Sequence, residues 1–437
     1  MNWKSKNTMF AAAVLGLAMA MVPLLSSMGV SGKSKSRAPK RIVVTPVGGS
    51  GAGSTVKPEA APAPIGSTYA VLAYNDLGMH CMNPSFAEFC LLPPYNTLHA
   101  TVIKRGSEPD IITSGTNIKV SYSVPGNTES ASKTDFWQYT LRLFGVQLPI
   151  NFGLTNHGLS GVMTPMTSDD RWEVTGIPIT DKMDGSTAAN PIINPFPIAT
   201  VQVQDKRTNA VLAWTKAVVP VSTEIACNTC HTPAPGQTVE SAILASHDRM
   251  HNTNLINSKP VLCASCHADP ALGSVGKPGI SNMSLAMHRA HAPRVSSIKA
   301  AGQNTCYSCH PGNRTQCQRD IHSARGMSCT NCHGDEYAVG NPLRRPWVDE
   351  PKCGTCHQQR KPSFEFEQPG KLFRDSKGHG GVACAACHNS PHAITPTITA
   401  ADNEQALLLQ GSAGVIRDCK ICHKTTPRER FFHKVDD

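Results

Sequence analysis

A chain of 437 residues with a formal charge of +10 is long enough for two or three domains. It carries 17 cysteines and 18 histidines but only 5% aromatic residues. The basic excess is not read as a nucleic-acid footprint, because the motifs of the second half imply acidic prosthetic groups that would cancel it.

In chain order, residues 8–31 are uncharged and mostly apolar, preceded by Lys4 and Lys6. This pattern predicts a secretory signal peptide or an N-terminal anchor over 1–32. No cysteine precedes Cys81, which argues against a lipoprotein. Lys33, Lys35, Arg37, Lys40 and Arg41 form a short basic run, and a Gly/Pro/Ala/Ser-rich stretch follows to residue 66. Together 33–66 read as a flexible linker, able to tether the chain near a membrane.

Residues 67–222 hold β-branched runs at Tyr69–Tyr74, Leu98–Ile103, Ile118–Val124, Ile198–Gln204 and Ala210–Val221. The last two flank Asp205-Lys-Arg-Thr-Asn209, which has hairpin chemistry. The expected fold here is an all-β sandwich or barrel. Cys81 and Cys90 lie in this region and are candidates for a disulfide. With His80 and His99 they could alternatively form a Cys2His2 or copper-type site. His80 or His99 could instead reach an iron of the next region. His157 reads as an ordinary loop histidine.

From residue 223 the texture changes. Seven Cys-x-x-Cys-His pentapeptides follow: Cys227–Cys230–His231, Cys263–Cys266–His267, Cys306–Cys309–His310, Cys329–Cys332–His333, Cys353–Cys356–His357, Cys384–Cys387–His388 and Cys419–Cys422–His423. Each is a signal for covalent c-type haem, with two thioethers to the porphyrin and the histidine as proximal iron ligand. Zinc does not ask for a histidine after every cysteine pair. A thioredoxin-like pair would occur once, and a disulfide framework would not place the histidines. Seven covalently bound haems c are therefore expected. Covalent attachment implies export, to the periplasm or the outer cell surface. The haems would bring about fourteen propionate charges against about seven positive ones on ferric irons.

The sixth ligand of each iron sets its chemistry, since a second histidine makes a low-spin carrier and an open position permits substrate binding. Eight further histidines lie in this region: His247, His251, His288, His291, His322, His379, His392 and His433. They are the candidate distal ligands, one more than the irons require. Met250, Met283, Met287 and Met327 are weaker candidates. Helical stretches are expected at Glu240–His251, Ser284–His291 and Glu404–Leu409. With so few aromatic side chains, the porphyrins should form the core, and the region should not fold without them.

These motifs and the histidine surplus resemble the multihaem c-type cytochromes of respiratory and extracellular electron transfer, over roughly residues 223–437. The resemblance implies haems close enough for electron hopping. Motif starts lie 36, 43, 23, 24, 31 and 35 residues apart, and the two shortest steps fit such contact. Some outer-surface members also carry a Cys-x8-Cys pair in a β-domain, the spacing of Cys81 and Cys90. The leading expectation is an electron relay rather than an enzyme. Its partners would be other cytochromes or quinol- or porin-linked complexes, with nucleic acid excluded and self-assembly open. The alternatives are a multihaem reductase with one open haem, or a structural subunit of a cytochrome polymer or porin complex. Cys-x-x-Cys-Lys, a frequent mark of a catalytic haem in such reductases, does not occur. Cys317 stands alone.

Overall fold

The computed structural model describes residues 63–114, 117–295, 305–428 and 431–433. The apolar segment 8–31, the basic run and most of the linker lie outside the described residues.

Two antiparallel sheets dominate the first half. One joins β1 (Tyr69–Tyr74), β4 (Thr97–Lys104), β9 (Arg171–Thr175) and β8 (Thr164–Met166), with the short β5 (Asp110–Ile111) also on β4. The other runs β11 (Val211–Val218), β10 (Ile198–Asp205), β6 (Ile118–Ser123) and β7 (Ser160–Val162). Strict alternation explains the second sheet. Ile118, Val120 and Tyr122 of β6 are buried, as are Ala199, Val201 and Val203 of β10, and their polar neighbours point outward. Both sheets send side chains into one cluster, including Val71, Leu98, Val102 and Val174 from the first and Val120, Val201 and Ala213 from the second. The turn Asp205–Asn209 closes the β10–β11 hairpin. Asp205 accepts from the Arg207 and Thr208 amides, and Asn209 takes φ 60°.

The region is not all β. Helix α1 (Phe136–Phe144) interrupts it, burying Phe136, Trp137, Thr140 and Leu143. That spacing of i, i+1, i+4 and i+7 is helical, and it packs Phe136 edge-on against Phe86 with ring centres 5.0 Å apart. Gly145 ends the helix at φ 71°, a left-handed cap.

Strand β1 is apolar along its length because it is buried on both faces. Val71 and Ala73 enter the inter-sheet core. Ala70, Leu72 and Tyr74 face a second cluster with Ala385, Ala386, Leu409, Ile416 and Ile421 of the C-terminal half. The described residues from 63 onward consequently form one compact unit, and the change of texture at residue 223 falls inside it.

Two parallel ribbons reinforce the join: β2 (His80–Cys81) with β12 (Val221–Ser222), and β3 (Phe89–Cys90) with β13 (Val261–Leu262). The C-terminal half is otherwise loops and short helices: α2 (Val239–His251), α3 (Met283–Val295), α4 (Cys329–His333), α5 (Glu336–Val339), α6 (Cys353–His357), α7 (Cys384–His388) and α8 (Glu404–Gln410). α8 rests on the sheets, where Gln405 Oε1 accepts from Ala73 N at 2.7 Å and Thr215 Oγ1 at 3.0 Å. None of the described helices is long and apolar enough to cross a membrane.

Candidate functional site

Each Cys-x-x-Cys-His sequence forms a single tight turn. Three are α-helical (α4, α6 and α7), and the other four carry 3-10 turns beginning at Cys227, Cys263, Thr305 and Cys419. The motif histidine's amide often closes the turn on the first cysteine's carbonyl, as in His310 to Cys306 and His423 to Cys419, both at 2.8 Å. Positions i, i+3 and i+4 then share one face, so both thiols and the imidazole face the same way.

The structure brings one further histidine to each motif histidine. The pairs and their ring-centre separations are His231–His291 6.3 Å, His267–His247 6.3 Å, His310–His288 6.1 Å, His333–His392 5.9 Å, His357–His322 6.0 Å, His388–His433 5.6 Å and His423–His379 6.3 Å. An imidazole nitrogen bonds a transition metal at about 2.0 Å, and the ring centre lies about 1 Å beyond it. Two rings on opposite sides of one iron therefore have centres about 6 Å apart, so the residues fit the cofactor that the motifs imply. His251 is the spare: its ring lies 4.8 Å from His247 and faces no motif histidine.

The fold explains the distribution. On α3, His288 and His291 lie i, i+3 and serve two different motifs, the third and the first. His322 and His392 come from loops bonded to each other, through Arg319 N to His392 O at 2.8 Å and Ile321 N to Ile394 O at 3.1 Å. Those loops are fixed by the buried Arg319–Asp402 ion pair, with Nε to Oδ2 at 2.6 Å and Nη2 to Oδ1 at 2.9 Å.

The second ring nitrogen is occupied in many of these histidines, which leaves Nε2 for a metal and fixes the ring's orientation. Nδ1 meets a backbone carbonyl in His267 (Ser281, 2.8 Å), His288 (Ser284, 2.8 Å), His291 (Met287, 2.6 Å) and His423 (Ser107, 2.9 Å). In His247 it meets the Thr253 hydroxyl at 2.9 Å, and in His322 the Asp320 carboxylate at 2.7 Å. Ser107 lies in the β-rich half, so that half orients the seventh motif histidine. Desolvation by the surrounding chain, with the charge of neighbouring His288 and His333, lowers His310 to about 4, although part of the residue faces solvent. Burial lowers His388 and His392 to about 4 as well, so these rings are neutral at ordinary pH and their lone pairs are available. A cleft of about 430 Å³ opens against Cys332 and His333, with Arg344 and Arg345 on its wall. Arg345 is paired with Asp349 on the same wall, which leaves Arg344 as the guanidinium suited to a propionate.

Residues 321–402 match the family model for cytochrome c3. The match supports a multihaem c-type cytochrome with a role in electron transfer. It spans the fourth, fifth and sixth motifs together with His322, His379 and His392. A search of curated proteins finds no match to the chain.

Three expectations for the β-rich half are corrected. Cys81 and Cys90 lie in separate ribbons, one beside β12 and the other beside β13, rather than opposite each other. His80 and His99 do not join them in a Cys2His2 or copper-type site. Their Nε2 atoms turn to the two oxygens of Asp76 at 3.8 and 3.9 Å, and His99 Nδ1 lies 3.2 Å from Glu173. Among the described residues no group of three or more His, Cys, Asp or Glu is arranged to hold a metal ion. Nor does either histidine reach the first motif, whose His231 faces His291. Burial alone would raise Asp76, but the neighbouring His80 and His99 imidazoles outweigh it and hold the carboxyl well below its usual value. Burial opposes charge on His99, yet hydrogen bonds to Asp76 and Glu173 raise its pKa. His157 Nδ1 lies 2.9 Å from the Thr175 carbonyl, and it has no neighbour in the histidine array. Sequence reasoning missed Asp320, Ser107 and the Arg319–Asp402 pair. Ser107 and the Arg319–Asp402 pair act across the fold, whereas Asp320 is local: it meets His322 two residues on and accepts from the Ser323 amide.

Proposed function

We propose that the chain is an exported seven-haem c-type cytochrome that relays electrons between redox partners. The seven motif-to-distal histidine pairs carry this reading. Cys227, Cys230, Cys263, Cys266, Cys306, Cys309, Cys329, Cys332, Cys353, Cys356, Cys384, Cys387, Cys419 and Cys422 would hold the porphyrins. His231, His267, His310, His333, His357, His388 and His423 would be proximal ligands, faced by His291, His247, His288, His392, His322, His433 and His379. Haem c supplies reversible one-electron exchange at iron, and two imidazoles favour the low-spin, low-potential form.

The protein's own contribution is to keep His310, His388 and His392 neutral and, in many of the histidines, to hold Nδ1 so that Nε2 is left for the iron. Paired occupation leaves no ligand position for a substrate, which favours a relay over a reductase. The β-rich half, read as a sandwich, supports the sixth and seventh stations through β1 and Ser107. It would also present a docking face to another cytochrome or to a quinol- or porin-linked complex. Such partners place the chain in the periplasm or at the outer surface, tethered through its N-terminus.

Whole-protein mass of the purified holoprotein should show seven haems, with low-spin ferric spectra throughout and no CO binding after reduction. A high-spin haem that binds CO in the wild type would overturn the relay in favour of a reductase. Substituting His291→Ala should convert one haem of seven to high spin, whereas His251→Ala should leave all seven unchanged.

A further inference from the structure

Three of the 17 cysteines stand outside the haem motifs: Cys81, Cys90 and Cys317. Cys81 is in register with Ser222 in the parallel β2–β12 ribbon, so both side chains leave on the same face. On that face the Ser222 hydroxyl meets the Thr315 hydroxyl at 3.1 Å. Glu224, two residues beyond Ser222, accepts from the Asn313, Arg314 and Thr315 amides at 2.9, 2.9 and 2.6 Å, fixing the loop there.

The chain entering β2 lies along the same loop. A single nitrogen, Arg319 Nη1, donates to Gly78 O at 2.6 Å and to Cys317 O at 3.1 Å. Cys317 Sγ is 3.9 Å from His392 Nδ1, and a Cβ on Gly78 would lie 3.4 Å from His392 Cβ. Cys90 is elsewhere, held by β13 beside Cys263. Burial and the neighbouring Cys317 push the Cys81 thiol well up, which places the two sulfurs near each other.

We propose that Cys81 and Cys317 form a disulfide in the exported protein, fastening the β-rich half to the loop under His392. Two S–H bonds break and one S–S bond forms. The two electrons and two protons pass to a protein disulfide of the exporting compartment, which becomes two thiols. Exchange takes place before the loop packs, while both sulfurs are accessible. The bond also removes two thiols that could compete with motif cysteines during haem attachment.

The proposal rests on the seven-haem reading, in which all 14 motif cysteines are already thioethers. Denatured, unreduced holoprotein is treated with iodoacetamide, digested and mapped by mass. The expected result is one alkylated cysteine, Cys90, with the Cys81 and Cys317 peptides joined and two hydrogens lighter than their sum. Alkylation of both Cys81 and Cys317 overturns the proposal, and so does a Cys81–Cys90 link with Cys317 alkylated. Alkylation at a motif cysteine would fault the haem count instead, and the map separates the two failures. In Cys317→Ser the number of alkylated cysteines should rise from one to two, because Cys81 loses its partner. Without the bond it would fall from three to two.

Discussion

The two halves of this molecule are held together by different means. The β-rich half is an ordinary protein core in which Val, Leu, Ile, Phe and Trp fill the space between two sheets. In the C-terminal half the buried apolar side chains are mostly alanines, with a few Leu, Ile and Val, and much of the order comes from turns, buried ion pairs and histidine hydrogen bonds. A chain that spends cysteine and histidine where another would spend leucine has arranged for something other than side chains to fill its interior. The halves are nonetheless one body, because β1 is a core strand for both.

The comparison predicts its largest effect when haem attachment is prevented. Expressed without attachment, the chain should be cleaved rapidly by protease throughout 223–437, with the β-rich half surviving longer but weakened at β1. Equal resistance across the two halves would break the contrast. Next in size is the Arg319–Asp402 pair, whose side chains are 0% and 1% exposed. Arg319→Met should cost about 3–5 kcal/mol by leaving a buried carboxylate unpaired, while replacing both partners with apolar residues should cost much less. Chemical denaturation of the single and double variants checks this.

Leu72→Ala should cost about 2–5 kcal/mol and also perturb the sixth and seventh haem spectra, because Leu72 faces Ala385 and Ile421. Val71→Ala, on the opposite face of the same strand, should destabilise without touching those spectra. A smaller effect belongs to the buried His99–Asp76–Glu173 group. His99 is raised when folded, so its contribution is fully present below its unfolded value of about 6.5 and is lost as pH rises through the folded value. Asp76 is depressed, so its contribution is present above about 3.9 and is lost as pH falls through its folded value. The melting-temperature difference between wild type and His99→Gln should therefore shrink as pH is raised above neutrality. The smallest effect should be on potential alone. Asp320 is the one carboxylate bonded to a paired histidine among the described hydrogen bonds, and it raises the pKa of His322. On the proposed seven-haem reading, Asp320→Asn should shift a single midpoint potential upward in a redox titration, leaving the other potentials and the stability nearly unchanged.

Much of the fold was legible where local pattern and burial agree. β6 and β10 alternate because one face is wet. The hairpin at Asp205–Asn209 follows from side-chain-to-backbone bonds within five residues. Helices α2, α3 and α8 begin and end within a few residues of their expected limits. α1 was missed because Phe, Trp and Tyr weigh toward strand in a β-rich context, although their spacing is helical. The disulfide expected at Cys81–Cys90 followed proximity in sequence, whereas β2 and β3 each pair with a strand more than a hundred residues away.

The same division runs through the site. A motif histidine is marked by a signal contained within five residues, so the sequence by itself picked out all seven motifs. A distal histidine can arrive from any part of the chain, and eight candidates were equal on paper. His247 and His251 lie one turn apart on the same helix, with nothing local to separate them. Only tertiary packing, which turns His247 toward His267 and leaves His251 outside, reduced eight to seven. That packing also decided that a serine carbonyl of the β-rich half, Ser107, would hold the last motif histidine in place.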